Sequence, residues 1–180
     1  TAMASRGLIN RTVLASLLKE AQKKAAEFTP VDIATTVSAL AKLNFPSRSV
    51  LRLLLAEAQK KAAGFSSVDI ARTLNAMAKL NYSDEAVFWS LLVEAQDKAA
   101  DFTAWSIGVT LNAMAKLGHY DRDVLRLLLG EVQKKAADFN IVDTSNTLDV
   151  MAKLEYYDEV AVGLLLEVLQ KKKAVDSNPL

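Results

Sequence analysis

Laid against itself at an offset of 37 residues, the chain falls into register. Phe28, Phe65, Phe102 and Phe139 recur at that spacing, as does the triplet Ala-Lys-Leu at 41–43, 78–80, 115–117 and 152–154. A third segment reads EAQKKAA at 20–26 and 57–63, EAQDKAA at 94–100 and EVQKKAA at 131–137. Three separate motifs in one register exclude coincidence. A period of this size confines a chain to stacked units, each burying its apolar face against its neighbours.

Each unit reads as two helices. Helix A opens on Thr29-Pro30-Val31-Asp32 and Ser66-Ser67-Val68-Asp69, with Thr103 and Asn140 at the same position later. The hydroxyl of such a residue accepts from first-turn amides, the acid three residues on reaches back, and Pro at the first helical position costs no hydrogen bond. The helix is predicted to run to about Leu43, Leu80, Leu117 and Leu154. Asn44, Asn81 and Gly118 then suit the left-handed residue that ends a helix, while Glu155 breaks the pattern. Helix B is capped by Ser47, Asp84, Asp121 and Asp158 and is predicted to continue to about Ala63, Ala100, Ala137 and Ala174. Its apolar positions Val50, Leu51, Leu54, Leu55, Ala58 and Ala62 keep helical spacing. Residues 10–26 match helix B in the same register.

The expected fold is therefore all-α: a right-handed α-solenoid of antiparallel helix pairs with a 37-residue period and about nine helices. Residues 1–9 read as a disordered or expression-derived N-terminus and 10–27 as an N-terminal half-repeat helix. Four repeats follow at 28–64, 65–101, 102–138 and 139–175, then a tail at 176–180. A start on half a unit suits a fragment of a longer array or a shortened N-terminal cap.

Composition narrows the functions open to such a stack. Apolar residues make up 51% of the chain, ample for a continuous core. A formal charge of +1, from 22 basic and 21 acidic residues, argues against gripping nucleic acid by bulk charge, but leaves room for a local basic stripe. No Cys is present, which removes disulfides, thiolate metal sites and thiol nucleophiles and suits a reducing, intracellular compartment. No apolar run approaches the roughly 18 residues of a membrane span, so no membrane insertion is expected. No nucleophile elbow, phosphate-binding Gly loop, metal-ligand spacing or separated acid pair occurs, so neither a catalytic role, a metal nor a cofactor is expected.

A repeat array usually acts through a stripe repeated along its length. On helix A, Ile33, Ala34, Val37, Leu40 and Ala41 share the core arc, and Val31, Thr35, Ser38 and Lys42 lie opposite. The equivalent stripes are Val68, Arg72, Asn75, Lys79; Trp105, Val109, Asn112, Lys116; and Val142, Asn146, Asp149, Lys153. One position varies (Thr35, Arg72, Val109, Asn146), the next is small and polar (Ser38, Asn75, Asn112, Asp149), and the last is always Lys. A variable reader beside a constant cation is what modular recognition of a phosphate-linked polymer needs. The competing explanation for the Lys row is the helix macrodipole, which alone favours a cation in the last turn.

Other recurrent residues read as structural. In helix B, Glu20, Glu57, Glu94 and Glu131 precede Lys24, Lys61, Lys98 and Lys135 by four residues, the orientation of a solvated, ion-paired face. Thr36, Thr73, Thr110 and Thr147 are expected to bond the preceding turn, and the recurrent Phe to staple the entry to helix A. Trp105 is the aromatic on the stripe, placed to stack on a base or to cover an edge; Trp89 reads as packing, and His119 as a loop residue without an acid–base partner.

The second helix A, Phe65 to Leu80, resembles the octotricopeptide repeat and the related heptatricopeptide repeat. The matching residues are Phe65, Ile70, Ala71, Thr73, Leu74, Ala76, Ala78, Lys79 and Leu80, most of which recur in the other units across essentially all of the periodic chain. Where those families carry Trp, this chain has Ser38, Asn75, Asn112 and Asp149, and their Pro-rich segment is missing. The resemblance implies a single-stranded RNA-binding α-solenoid in the RNA metabolism of a mitochondrion or chloroplast. Near-zero net charge and balanced helix B surfaces support a different reading, a protein-interaction scaffold or accessory subunit. The closeness of the units also suits a consensus-derived or recently duplicated array.

Overall fold

The structure, a computed structural model, describes residues 11–176. The expected N-terminus at 1–9, the helix start at Asn10 and residues 177–180 of the tail lie outside the described residues. Nine α-helices and no strand occur among those described: α1 (Arg11–Lys23), α2 (Pro30–Lys42), α3 (Arg48–Lys60), α4 (Ser67–Lys79), α5 (Glu85–Asp97), α6 (Ala104–Leu117), α7 (Arg122–Lys135), α8 (Ile141–Lys153) and α9 (Glu159–Asp176). No described helix is long and apolar enough to cross a membrane.

Helices in even positions pack in one row, α2 on α4 on α6 on α8, and those in odd positions in another, α1 on α3 on α5 on α7 on α9. Sequence neighbours join the two rows, as α2 with α3 and α4 with α5. Contacts therefore run between neighbouring elements, the pattern of a helical repeat. Ile33, Ile70 and Ile107 from one row and Leu54, Leu91 and Leu128 from the other are fully buried between them. The even row is held close by small residues: a Cβ added to Gly108 on α6 would already lie 3.4 Å from Thr147 Oγ1 on α8.

Caps form as the residue types dictate. Thr29 with Asp32, Ser66 with Asp69 and Thr103 with Ser106 make reciprocal capping boxes, and Asn140 Oδ1 accepts from the Asp143 amide at 2.8 Å. In the first of these, the Thr29 hydroxyl and amide lower the Asp32 pKa by bonding its charged form. Asp84, Asp121 and Asp158 accept first-turn amides of α5, α7 and α9. Ser47 stands at the start of α3 but its hydroxyl makes no capping bond, contrary to its expected role. At the ends of the even helices, Asn44, Asn81 and Gly118 take positive φ as expected, and so does Glu155, at 50°. The next amide in each case returns to a carbonyl five residues back, as Tyr82 N–H to Met77 O at 2.9 Å and Tyr156 N–H to Met151 O at 3.0 Å. The cross-turn bond fixes the backbone whatever the side chain, so Glu155 carries a conformation suited to Asn or Gly.

Three of the four B helices end earlier than their sequence predicts, whereas α9 runs to Asp176, just past the expected Ala174. The α-helices stop at Lys60, Asp97 and Lys135, and 3-10 turns take over at Ala62–Gly64, Ala99–Asp101 and Ala136–Asp138. Tightening the last turn brings the chain to an extended Phe65, Phe102 and Phe139, whose rings are almost entirely buried. These rings are core, and none is available as a stacking platform.

Lys61, Lys98 and Lys135 pair with Glu57, Glu94 and Glu131 as expected, at 3.6, 2.7 and 3.0 Å, while Glu20 pairs with Lys23 in place of the expected Lys24. Each also reaches back to carbonyls of the preceding unit. Lys61 Nζ donates to Ala26 O and Phe28 O (2.7 and 2.8 Å), Lys98 Nζ to Ala63 O (2.8 Å), and Lys135 Nζ to Ala100 O and Phe102 O (2.5 and 2.7 Å). A purely solvated face therefore does not describe them. They tie one 3-10 turn to the next unit, satisfying carbonyls that the helix end leaves open.

Candidate functional site

The stripe residues converge because the even helices lie side by side. Spacing of i, i+4, i+7 and i+11 keeps each set on one helical face. A groove of about 620 Å³ opens along that face. Helix α2 lends it Ser38 and Lys42; α4 lends Arg72, Asn75 and Lys79; α6 lends Trp105, Val109 and Asn112; α8 lends Asn146. Val68 and the small residues Ala41 and Ala76 complete the lining. Thr35, Lys116, Asp149 and Lys153, on the same stripe by spacing, lie outside it.

No carboxylate lines the groove, which holds three cationic side chains, three carboxamides and one indole. Of its cations, Arg72 has an acid beside it, Asp69, whose Oδ1 is 4.0 Å from the guanidinium while Oδ2 is engaged by Ser66. Among the described residues Lys42, Lys79 and Lys116 form no ion pair, whereas Lys153 Nζ sits 2.6 Å from Asp149 Oδ2. The difference traces to the position one turn before each Lys. Ser38, Asn75 and Asn112 are neutral there and Asp149 is not. Trp105 is 40% exposed, so its ring is available at the groove. It stands also at the rim of a second depression, bordered by Lys135, Asp101 and Asp138.

Two other sequence readings come out differently. His119 was expected without partners, but its Nε2 lies 3.3 Å from Ser83 Oγ and 3.9 Å from Glu85 Oε1, across the loop of the preceding unit. Its ring packs near Phe88 and Trp89, at centroid distances of 5.4 and 6.2 Å. Both polar groups approach the same ring nitrogen, so they compete for it and do not form a relay through the imidazole. Trp89 packs edge-on against Phe88 as expected, yet remains 39% exposed. Thr147 donates to Asp143 O at 2.8 Å, as expected of that position, while the buried hydroxyls of Thr73 and Thr110 find no partner. The bond to the preceding turn is thus not general to the four Thr residues.

Apart from Asp32 in its capping box, the carboxylates with displaced titration lie on the helix B face. Glu131 is 6% exposed and its pKa is lowered, first by the hydrogen bond from Lys134 and then, against the cost of burial, by Lys135. Glu57 is lowered for the same reason, chiefly by Lys60. None of these acids faces the groove. Among the described residues no cluster of His, Asp and Glu is placed to hold a metal ion.

No family model matches the chain, and no curated protein matches it in sequence.

Proposed function

We propose that this chain is a non-enzymatic right-handed α-solenoid of antiparallel helix pairs with a 37-residue period, and that it binds single-stranded RNA along the groove of the even helices. The observation that carries this reading is the lining: Lys42, Arg72 and Lys79 with Asn75, Asn112, Asn146 and Trp105, and no carboxylate. Lys and Arg neutralise phosphates, a carboxamide donates to and accepts from base edges, and an indole offers a stacking face. A protein carrying only +1 overall thus presents a local cationic track. The resemblance of helix A to octotricopeptide and heptatricopeptide repeats supports the same ligand and suggests a role in mitochondrial or chloroplast RNA metabolism.

Other helical readers use about one base per repeat, so four units engage only about four nucleotides. With about 1–3 kcal/mol from a stacked base, binding is weak and salt-sensitive. Fluorescence anisotropy with short labelled RNAs at low salt tests the proposal. Binding that is lost in Lys42→Glu with Lys79→Glu supports it; no binding, or binding indifferent to both changes, refutes it. A protein-scaffold reading draws on the opposite surface, where Trp89 and Val93 stand exposed one turn apart on α5. A pull-down recovering one partner after nuclease treatment, and lost in Trp89→Ala with Val93→Ser, would favour that reading.

A further inference from the structure

Resting on the RNA reading of the groove, we infer that base recognition is concentrated in one seat on α6, centred on Val109, and that this seat takes a purine. Trp105 and Asn112 stand one turn to either side of Val109 on the same helical face, four residues before it and three after. All three line the groove, as do Arg72 on α4 and Asn146 on α8. Arg72 and Asn146 are the equivalents of Val109, one period away in each direction. Equivalent residues lie side by side in this stack: a Cβ on Gly108 would meet Asp143 O at 3.7 Å and Thr147 Oγ1 at 3.4 Å, which bracket its own equivalent, Ser145. Val109 is therefore ringed by an indole and a carboxamide along α6, and by a guanidinium and a second carboxamide across it.

The other even helices do not assemble this set. Where α6 has Trp105, they have Val31, Val68 and Val142; where it has Val109, they have Thr35, Arg72 and Asn146. An apolar floor beside an exposed indole thus occurs once along the stripe. Among the described residues the side chains of Asn112 and Asn146 make no hydrogen bond, so a ligand finds their donors and acceptors open. The cations of the lining, Lys42, Arg72 and Lys79, all stand on α2 and α4. Phosphates are drawn to that side, and the base falls on α6. A purine covers more of an indole face than a pyrimidine does, and stacking strength sets base preference where a site reads single strands. Adenine and guanine share that larger face, and the test separates them.

Labelled tetrauridylate, and the same strand with one uracil replaced by adenine, guanine or cytosine, are titrated by anisotropy at low salt. A purine tightens binding and cytosine does not. Trp105→Val installs the residue that the second and fourth units carry at this position. It weakens binding of the purine-containing strands by about fivefold or more and abolishes their advantage. In Trp89→Phe, Trp105 is the one indole left in the chain, and the purine strands quench its emission more than tetrauridylate does. Equal affinity for the four strands, or a purine advantage that survives Trp105→Val, overturns the seat while leaving the groove reading intact. No binding of any strand overturns the groove reading and the seat with it.

Discussion

Lys134 and Lys135 are adjacent, carry the same charge and both pair with Glu131, yet their removal should have very different effects. Lys134 is 69% exposed and makes one contact, at 2.6 Å to Glu131. Lys135 is 24% exposed, pairs with Glu131 at 3.0 Å and donates to two carbonyls of the preceding unit. Lys134 is the exposed partner of a buried carboxylate that keeps Lys135 when Lys134 is removed, so its own contribution is held to about 0.2–0.5 kcal/mol. Hydrogen bonds to a charged group contribute about 1.5–3 kcal/mol each where well buried. One of the two bonds is exposed and the other only part-buried, so together they fall below the roughly 3 kcal/mol of two such bonds, at about 2 kcal/mol. Methionine keeps the aliphatic stem and removes the charge, so Lys135→Met should lower stability by about 2 kcal/mol and Lys134→Met by less than about 0.5. For a chain of this size the first change lowers Tm by about 4–8 °C. Urea denaturation followed by circular dichroism reads both as shifts in midpoint at constant slope. Each variant loses one positive charge, so any bulk-charge effect is common to the two. Equal losses, or a Lys135→Met loss below about 0.5 kcal/mol, would refute the tie between units.

Three further outcomes can be read from the same unfolding curves. Thr110 and Thr147 occupy equivalent positions, but only Thr147 has a hydrogen-bond acceptor. Thr110→Val should therefore be neutral or stabilising by up to about 1 kcal/mol, while Thr147→Val should cost about 1 kcal/mol; the reverse order contradicts the burial of an orphan hydroxyl. Glu155 sits at φ 50° with its side chain exposed, so Glu155→Gly should raise stability by about 1 kcal/mol, and a loss would show that the side chain matters more than the backbone. The Glu131 pKa is lowered on folding, so its contribution is complete above the unfolded carboxylate value and disappears as pH falls through the lower folded value. Stability should then fall with acid below about pH 4.3, less steeply in Glu131→Gln, and identical pH profiles for the two proteins would refute the assignment.

Local rules carried the sequence a long way. A hydroxyl or amide followed three residues later by an acid is a complete cap, because donor and acceptor sit within one turn. Thr29, Ser66 and Asn140 therefore cap as expected, and Thr103 does so with Ser106 in the acid's place. Core assignment was nearly as direct: Ile33, Ala34, Val37 and Leu40 are buried as helical spacing predicts, while Ala41, assigned to the same arc, is half-buried and lines the groove. What fails is inference about partners in another unit. Glu57 lies four residues before Lys61 and is visible as its pair, but the carbonyls of Ala26 and Phe28 are 35 and 33 residues away. A Lys whose local pairing is already satisfied gives no signal that it does anything else. The one available clue is that Lys61, Lys98 and Lys135 are constant while the preceding residue is Lys60, Asp97 and Lys134.

The groove shows the same limit in geometric form. A helical wheel gives the angle of a residue about its own axis, and by that measure all four members of each stripe are equivalent. The lining is not. It takes Ser38 and Lys42 from the last two turns of α2, runs from Val68 to Lys79 on α4, takes Trp105 to Asn112 from the earlier part of α6, and meets α8 at Asn146. The depression is thus skewed relative to the repeat register. The inclination of neighbouring helices depends on how their facing residues pack, and at Gly108 α6 approaches α8 so closely that an added Cβ would lie 3.4 Å from Thr147 Oγ1. A period fixes which residues are equivalent along the chain but not how neighbouring axes are inclined. Thr35 and Lys116 are left out of the lining. Among the described helices Thr35 belongs to the first of the row, which packs on α4 within it, and Lys116 lies at the far end of α6 from the lined segment. A ligand following this groove would therefore cross the units obliquely, reading Arg72 and Asn75 in the middle of its path and leaving past Asn146, so equivalent positions in different units need not meet equivalent parts of the ligand.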